Sequence, residues 1–186
     1  MLAVIIVSYN TVDLLRGCLA STCASLAGSA LPGNVWVVDN ASTDGSAAMV
    51  HAEFPDVKLI CNDRNVGFAA ANNLALHALG LGVASAHEQP YAVLLLNPDT
   101  EVRGDALALM FDALLASDRV GVTGASLLYQ DGRFQHGAFR FPDLCQIFLD
   151  FFPINHRLTD SRLNGRYPRS SYELGIPFPV DHPLGA

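Results

Sequence analysis

Along the first 115 positions, apolar residues alternate between two rhythms. Short continuous runs at residues 2–7, 35–38, 57–61 and 91–96 have strand length and are rich in Val, Ile and Leu. Between them the apolar positions recur at helical spacing. Leu14, Leu15, Cys18, Leu19, Thr22 and Leu26 form the first such stripe, and Leu107, Met110, Phe111, Leu114 and Leu115 the last. Ser42 or Thr43 is placed to cap a short helix that runs to about Glu53 and is stopped by Phe54-Pro55. Residues 65–81 read as an Ala-rich helix with Phe68, Asn72, Ala75 and Leu79 on one face. The run at 91–96 is continuous and apolar, which predicts a sheet buried on both faces. The β-α-β-α-β-α-β-α order predicts an α/β fold with an open, mostly parallel, doubly wound sheet.

The rhythm breaks after residue 119. Residues 120–129 predict one or two strands, Asp131-Gly132 a hairpin turn, and residues from Phe134 irregular structure. Residues 143–154 predict a short helix, and 155–177, rich in Arg, Asn, Ser, Gly and Pro, a long loop. Phe148, Phe151 and Phe152 give an apolar patch. It is expected to pack on the sheet or on a portion beyond Ala186, which would leave it partly uncovered here, with a membrane or a lipid acceptor as the second reading.

Composition narrows the classes. The 186 residues are 51% hydrophobic and 16% charged, which excludes a disordered chain and is enough for a sizeable core. A net charge of −7 argues against a nucleic-acid partner, which would need a basic surface. No apolar run approaches the ~20 residues of a membrane span. The N-terminal residues lack a basic stretch and a cleavage site and read as a first strand, not a signal peptide. The four cysteines lack metal-ligand spacing and are expected to be reduced, as in cytoplasm.

In an open α/β sheet, ligands bind at the carboxyl ends of the strands. The residues that follow the four runs are Ser8-Tyr9-Asn10, Asp39 to Ser46, Asn62 to Phe68, and Asn97-Pro98-Asp99-Thr100-Glu101. All four ends are polar, and three carry both Asp and Asn. Polar turns and helix caps would account for any one of them, but less readily for four together. No Gly-x-Gly-x-x-Gly, Walker lysine or Gly-x-Ser-x-Gly is present, which argues against a dinucleotide site, a P-loop and a hydrolase elbow. Asp39, at a strand tip, is suited to accept from the imide N–H of a base. Asp99 and Glu101 are hard oxygen donors suited to Mg²⁺ or Mn²⁺ bridging to a diphosphate.

The segments Val4-Ile-Ile-Val-Ser-Tyr-Asn10, Val37-Val-Asp-Asn-Ala-Ser-Thr-Asp-Gly-Ser46, Asn65-Val-Gly-Phe-Ala-Ala-Ala-Asn72 and Leu94-Leu-Leu-Asn-Pro-Asp-Thr100 together resemble family 2 glycosyltransferases with the GT-A fold. The closest resemblance is to the rhamnosyltransferase-like branch, over about residues 3–130. The resemblance implies inverting transfer of a sugar from a nucleoside diphosphate donor, dTDP-rhamnose or a UDP-sugar, to a hydroxyl of a glycan or lipid-linked acceptor. It implies a donor region at 1–130 and a partial acceptor-side region at 131–186. It implies a donor site built from Ser8, Tyr9, Asn10, Asp39, Asn40, Asp44, Arg64, Asn65, Gly67, Asn72 and Asn97. Asp99 would be the catalytic residue and the ligand of a Mg²⁺ or Mn²⁺ cofactor.

Two departures accompany the resemblance. The first Asp of the family's Asp-x-Asp is Asn97, which removes one charge from the metal site. The chain ends at Ala186, before the family's acidic Glu-Asp motif, so the catalytic base is expected beyond it. Asp181 and Glu173 are acidic residues near the end, and nothing in their spacing promotes either. The incomplete C-terminal region then predicts self-association into a homo-oligomer, and a lipid-linked acceptor predicts a cytoplasmic protein peripheral to the inner membrane. Two other functions remain open. A non-catalytic nucleotide-sugar or carbohydrate-binding module would bind without transfer. A sugar nucleotidyltransferase would need a Gly-rich, basic loop where Ser8-Tyr9-Asn10-Thr11 stands.

Overall fold

The computed structural model describes residues 1–82, 89–152 and 164–184. The predicted alternation is present. β1 (Leu2–Ser8), α1 (Val12–Gly28), β2 (Gly33–Asp39), α2 (Ser46–Glu53), β3 (Lys58–Cys61), α3 (Phe68–Ala78), β4 (Ala92–Leu96) and α4 (Ala106–Leu115) follow in order. The four strands form one parallel sheet in the order β3-β2-β1-β4. In register, Ser8 lies opposite Asp39, Asp39 opposite Cys61, and Ile6 opposite Leu96. The strand order therefore reverses between β1 and β4, and every strand delivers its following loop to the same edge.

β1 is buried on both faces, whereas β4, whose continuous apolar run predicted the same, is only partly covered, with Leu95 43% exposed, because it lies at the end of the sheet order. Leu2, Val4 and Ile6 pack on one face with Leu15, Cys18 and Leu19 of α1, Met49 and Val50 of α2, and Leu107 of α4. Ala3, Ile5 and Val7 pack on the other face with Ala71, Ala75 and Leu79 of the α3 segment. Covering one such side chain contributes roughly 1.5–3 kcal/mol, so a strand covered on both faces has no place for a polar residue before its tip. Trp36 of β2 is partly buried, as expected of a strand residue. Its indole N–H donates to Asn34 Oδ1 at 3.0 Å, and Lys58 Nζ lies 4.7 Å from the ring centre.

Three local expectations are corrected. Neither Ser42 nor Thr43 caps α2; the N-cap is Gly45, with φ +89°. Ser42 Oγ instead accepts from Asn10 N. On α3 the buried face is Ala71, Asn72 and Ala75, while Phe68 is 53% exposed. That helix begins at Phe68, not Asn65, because Gly67 turns the chain with φ +85° and ψ 163°, a conformation that favours glycine. A Cβ at Gly67 would meet nothing within 4 Å, so backbone strain alone opposes it. Gly67→Ala should lower stability by about 1–3 kcal/mol in a denaturant titration.

A second compact unit begins at Asp112. It holds β5 (Leu127–Leu128), β6 (Phe134–Gln135), β7 (Ala138–Phe139), α5 (Leu144–Phe151), α6 (Arg169–Glu173) and β8 (His182–Pro183). β5 and β6 form the predicted antiparallel hairpin around Asp131-Gly132, with Gly132 at φ +82°. Of the strand expected over 120–129, only two residues pair. β7 pairs with β8, and Arg140 N donates to Gly165 O at 2.7 Å. α5 starts where predicted, with the Asp143 carboxylate accepting from Gln146 N at 2.7 Å. The predicted loop 155–177 contains α6, and its part through residue 163 lies outside the described residues, as does Ile154. Phe148, Phe151 and Phe152 are exposed. No helix among the described residues is long and apolar enough to cross a membrane.

Candidate functional site

The four polar strand ends meet at the carboxyl edge of the parallel sheet, and a web of side-chain bonds joins them. Ser8 is buried, and its hydroxyl lies 2.9 Å from Thr11 Oγ1. Asn10 takes φ +53°, a left-handed conformation that asparagine tolerates. Its Oδ1 accepts from Thr43 N at 2.8 Å, which fastens the loop after β1 to the loop after β2. Tyr9, between them, is 49% exposed and makes no hydrogen bond within the described residues.

Asp39 sits at the tip of β2, only 3% exposed. Its Oδ2 accepts from Ser42 N at 3.0 Å, while its Oδ1 is buried and has no partner among the described residues. An orphaned buried acceptor costs about 1–3 kcal/mol, so a donor from a ligand or water would relieve it. Asn72 Oδ1, in the first turns of α3, is a second buried acceptor without a partner among the described residues; its Nδ2 donates to Phe68 O at 3.0 Å.

Asn40 and Asn65 form the bracket beneath this edge. Asn40 N donates to Ser8 O, and Asn40 Nδ2 to Asn65 Oδ1 at 2.8 Å. Asn40 Oδ1 accepts from Asn62 Nδ2 and Val66 N, at 3.1 and 3.0 Å. Asn65 Oδ1 also accepts from Gly67 N at 2.9 Å, which sets the glycine turn into α3. Arg64, in the same loop, is exposed and forms no ion pair within the described residues.

Asp44 has a structural task that the motif does not reveal. Its Oδ2 accepts from Val12 N at 2.9 Å, the first residue of α1. Its Oδ1 accepts from Ser46 N and from Ser46 Oγ, at 3.0 and 2.6 Å, at the start of α2. One exposed carboxylate thus caps two helices, and the Ser46 hydroxyl, with the Val12 and Ser46 amides, holds it below the usual carboxylate range. Asp44→Ala should cost about 0.5–2 kcal/mol, the usual range for a lost cap. Because the folded value is depressed, the stabilisation is complete above the unfolded carboxyl value, ordinarily ~3.9, and fades as pH falls below it. Melting curves from pH 7 to pH 3 should show the gap between the parent and Asp44→Ala closing at the acid end.

The loop after β4 is anchored from below by α1. Asn97 O accepts from Thr100 Oγ1 at 2.7 Å and from Cys18 Sγ at 3.5 Å. Ser21 Oγ accepts from Val102 N, and Ser25 Oγ donates to Gly104 O. Burial pushes the Cys18 thiol up to about 11, so it is a protonated packing group and not a nucleophile. Asp99 is exposed, and its carboxylate bonds to nothing within the described residues. Glu101 differs: its Oε1 lies 3.7 Å from the point a Cβ at Gly17 would occupy, so it rests on α1.

Asp39 and Asp99 share one edge, two strands apart, which is about 10 Å at the usual strand spacing. Among the described residues, no three acidic, histidine or cysteine side chains converge on a point. The donor set therefore suits a Mg²⁺-type ion held by one carboxylate, with substrate phosphates and water completing the shell. It does not suit a protein cage that binds metal alone.

The profile of glycosyl transferase family 2 matches residues 3–171. The chain belongs to that family. Within it, the chain is 31% identical over 147 residues to the N-acetylglucosaminyl-diphospho-decaprenol L-rhamnosyltransferases of two Mycobacterium tuberculosis strains, CDC 1551 / Oshkosh and ATCC 25618 / H37Rv. The match takes in 77% of this chain and 47% of each relative, so the chain spans about half the length of the curated relatives it matches. Among solved structures, the mannosyltransferase PcManGT of Pyrobaculum calidifontis, in complex with GDP-Man and Mn²⁺, superposes with a TM-score of 0.52 at 24% identity, over 69% of this chain and 35% of that one. S. aureus TarS 1-349 in complex with UDP-GlcNAc superposes with a TM-score of 0.51 at 19% identity, over 97% and 49%. These likenesses establish a shared GT-A fold.

The expected residues do come to one edge, and Asp39, Asn72, Tyr9, Arg64 and Asp99 offer groups the protein leaves unengaged. Asn40, Asn65, Asn10 and Asp44 hold the loops in place. Asx turns and helix caps look the same in sequence as ligand contacts, so no local signal separates the two sets.

Proposed function

We propose that the chain carries the donor-binding half of an inverting glycosyltransferase, which moves a sugar from a nucleoside diphosphate to the hydroxyl of a glycan or lipid-linked acceptor. The observation that carries this reading is the pairing of two unlike carboxylates on one sheet edge. Asp39 presents a buried, unpartnered oxygen, and Asp99 an exposed, unengaged one. The first is suited to a neutral N–H donor such as a base imide, held away from water. The second is suited to a hydrated cation beside a diphosphate. The M. tuberculosis relatives, named for L-rhamnosyl transfer to N-acetylglucosaminyl-diphospho-decaprenol, favour dTDP-rhamnose over a UDP-sugar and a lipid-linked sugar diphosphate as acceptor.

In the reaction, an acceptor oxygen attacks the anomeric carbon on the face opposite the diphosphate, the bond to the diphosphate breaks, and configuration inverts. When bound, Mg²⁺ or Mn²⁺ neutralises charge on the leaving diphosphate. The chain's own residues orient the donor. Asp39 fixes the base, Asp99 and Asn97 face the diphosphate, and Arg64 supplies a cation to the same edge. The acceptor proton must go to a carboxylate. Asp181 and Glu173 are engaged elsewhere, Asp181 Oδ2 accepting from Phe141 N and Glu173 pairing with Arg169.

Calorimetry with dTDP, UDP and GDP, each with Mg²⁺, Mn²⁺ or EDTA, tests the reading. Metal-assisted binding of one nucleoside diphosphate, and no binding of metal alone, is the expected result. Failure of all three nucleotides to bind would refute it.

A further inference from the structure

The second unit contains a cleft of about 770 Å³ around the β5–β6 hairpin. Its lining includes Arg133, Arg166 and Arg169, with His136, Tyr129 and Phe134. Three of the chain's ten arginines thus border one cleft in a protein of net charge −7, and among the described residues the only carboxylate residue in its lining is Asp131.

Two of the three guanidiniums lie against aromatic rings. Arg133 lies over Tyr129, 5.4 Å from the ring centre, and Arg169 over Phe134 at 5.7 Å. Phe134 is fixed in turn by edge contacts with His136 and Tyr172. The carboxylate partners of Arg133 and Arg169 are weak competitors. Arg133 pairs with Asp131 at 2.6 Å and Arg169 with Glu173 at 2.9 Å, and all four side chains are more than half exposed. Such surface pairs contribute about 0–1 kcal/mol, so an anion of higher charge can replace the carboxylates. A planar guanidinium takes phosphate oxygens two at a time, so several around one cleft suit a diphosphate better than a single charge. Aromatic faces beside them suit the apolar side of a sugar ring.

We propose that this cleft binds a sugar diphosphate, with phosphates on Arg133, Arg166 and Arg169 and the sugar ring against Tyr129 and Phe134. The choice of ligand class rests on the acceptor reading above. The cleft itself is described within the second unit alone.

The test is calorimetry in EDTA, where nucleoside diphosphate binding through Asp99 is not supported by metal. The probes are N-acetylglucosamine 1-diphosphate and inorganic pyrophosphate. Both should bind saturably, the sugar diphosphate several-fold tighter. The double variant Arg133→Gln/Arg169→Gln should weaken both by roughly tenfold or more without lowering the melting temperature. Asp131→Asn, which keeps an acceptor for the hairpin turn, should tighten both. Tyr129→Ala should erase the advantage of the sugar diphosphate.

The proposal falls if neither probe binds, if the double variant binds like the parent, or if pyrophosphate binds as tightly as the sugar diphosphate. It also falls if the double variant loses metal-assisted dTDP or UDP binding in parallel, because the anion would then belong to the donor site. A protein that binds no nucleoside diphosphate yet keeps arginine-dependent binding of the sugar diphosphate would refute the donor reading and support this cleft.

Discussion

Alanine at Asp99 should weaken nucleoside diphosphate binding about 10- to 100-fold in Mg²⁺ or Mn²⁺, the range expected from losing a charged contact worth roughly 1.5–3 kcal/mol. In EDTA the same variant should bind nearly like the parent, because the exposed Asp99 carboxylate then has only a repulsive phosphate to face. Alanine at Asp39 should weaken binding by a similar factor in both conditions, since its buried Oδ1 is suited to the base. The difference follows from surroundings already in place. Asp39 is covered and anchored through Ser42 N, whereas Asp99 is open and unanchored. Paired titrations of the two variants, with and without metal, check the division of roles. An equal metal dependence for both would refute it. Asp99→Asn is a useful companion, because it keeps the shape while removing the charge and should reproduce the metal-dependent loss.

Asn40→Ala should be the most damaging substitution for stability at this edge. The side chain is buried and joins three partners, Asn62, Asn65 and Val66. Removing it leaves the Val66 amide and the Asn62 and Asn65 side chains without their shared partner. At about 1–3 kcal/mol for each buried group left unsatisfied, and allowing water to reach the exposed Asn65, a loss of roughly 2–4 kcal/mol is expected. For a chain of this length that lowers the melting temperature by about 4–16 °C. Thermal unfolding followed by circular dichroism gives the number directly. A fall of a degree or less would mean that the bracket is not what holds the loop after β3. Nucleotide binding should also weaken, but only through the displaced loop. Lowering the temperature should therefore restore much of it, which would not happen if Asn40 were itself a ligand contact.

The two variants illustrate what a motif conceals. Asp39, Asn40 and Asp44 belong to one contiguous segment of polar residues after a strand, and each is typical of a turn. In the folded protein they diverge. Asp39 keeps one oxygen unpaired, Asn40 is almost fully engaged, and Asp44 caps α1 and α2. The partners of Asn40 lie 22 to 26 residues away, and those of Asp44 include Val12, 32 residues away. No window of sequence contains both ends of these bonds. The arginine cleft is a stronger case. Arg133 is brought beside Arg166 and Arg169 by packing within the second unit, and their spacing along the chain carries no periodic signal.

The sequence by itself determined the layered architecture and the edge at which the site lies. Apolar runs alternating with helical stripes are buried most readily as a parallel sheet with helices on its faces, and chain direction then puts every strand tip on one side. Those are consequences of local pattern, because burial acts residue by residue along each element. The tertiary structure alone decided which polar tip residues remain available for a ligand and which hold loops together. Hydrogen bonds are directional and reach only about 3 Å. Which donor meets which acceptor is therefore fixed only when distant loops have been brought together, and only then does Asp39 differ from Asn40 beside it.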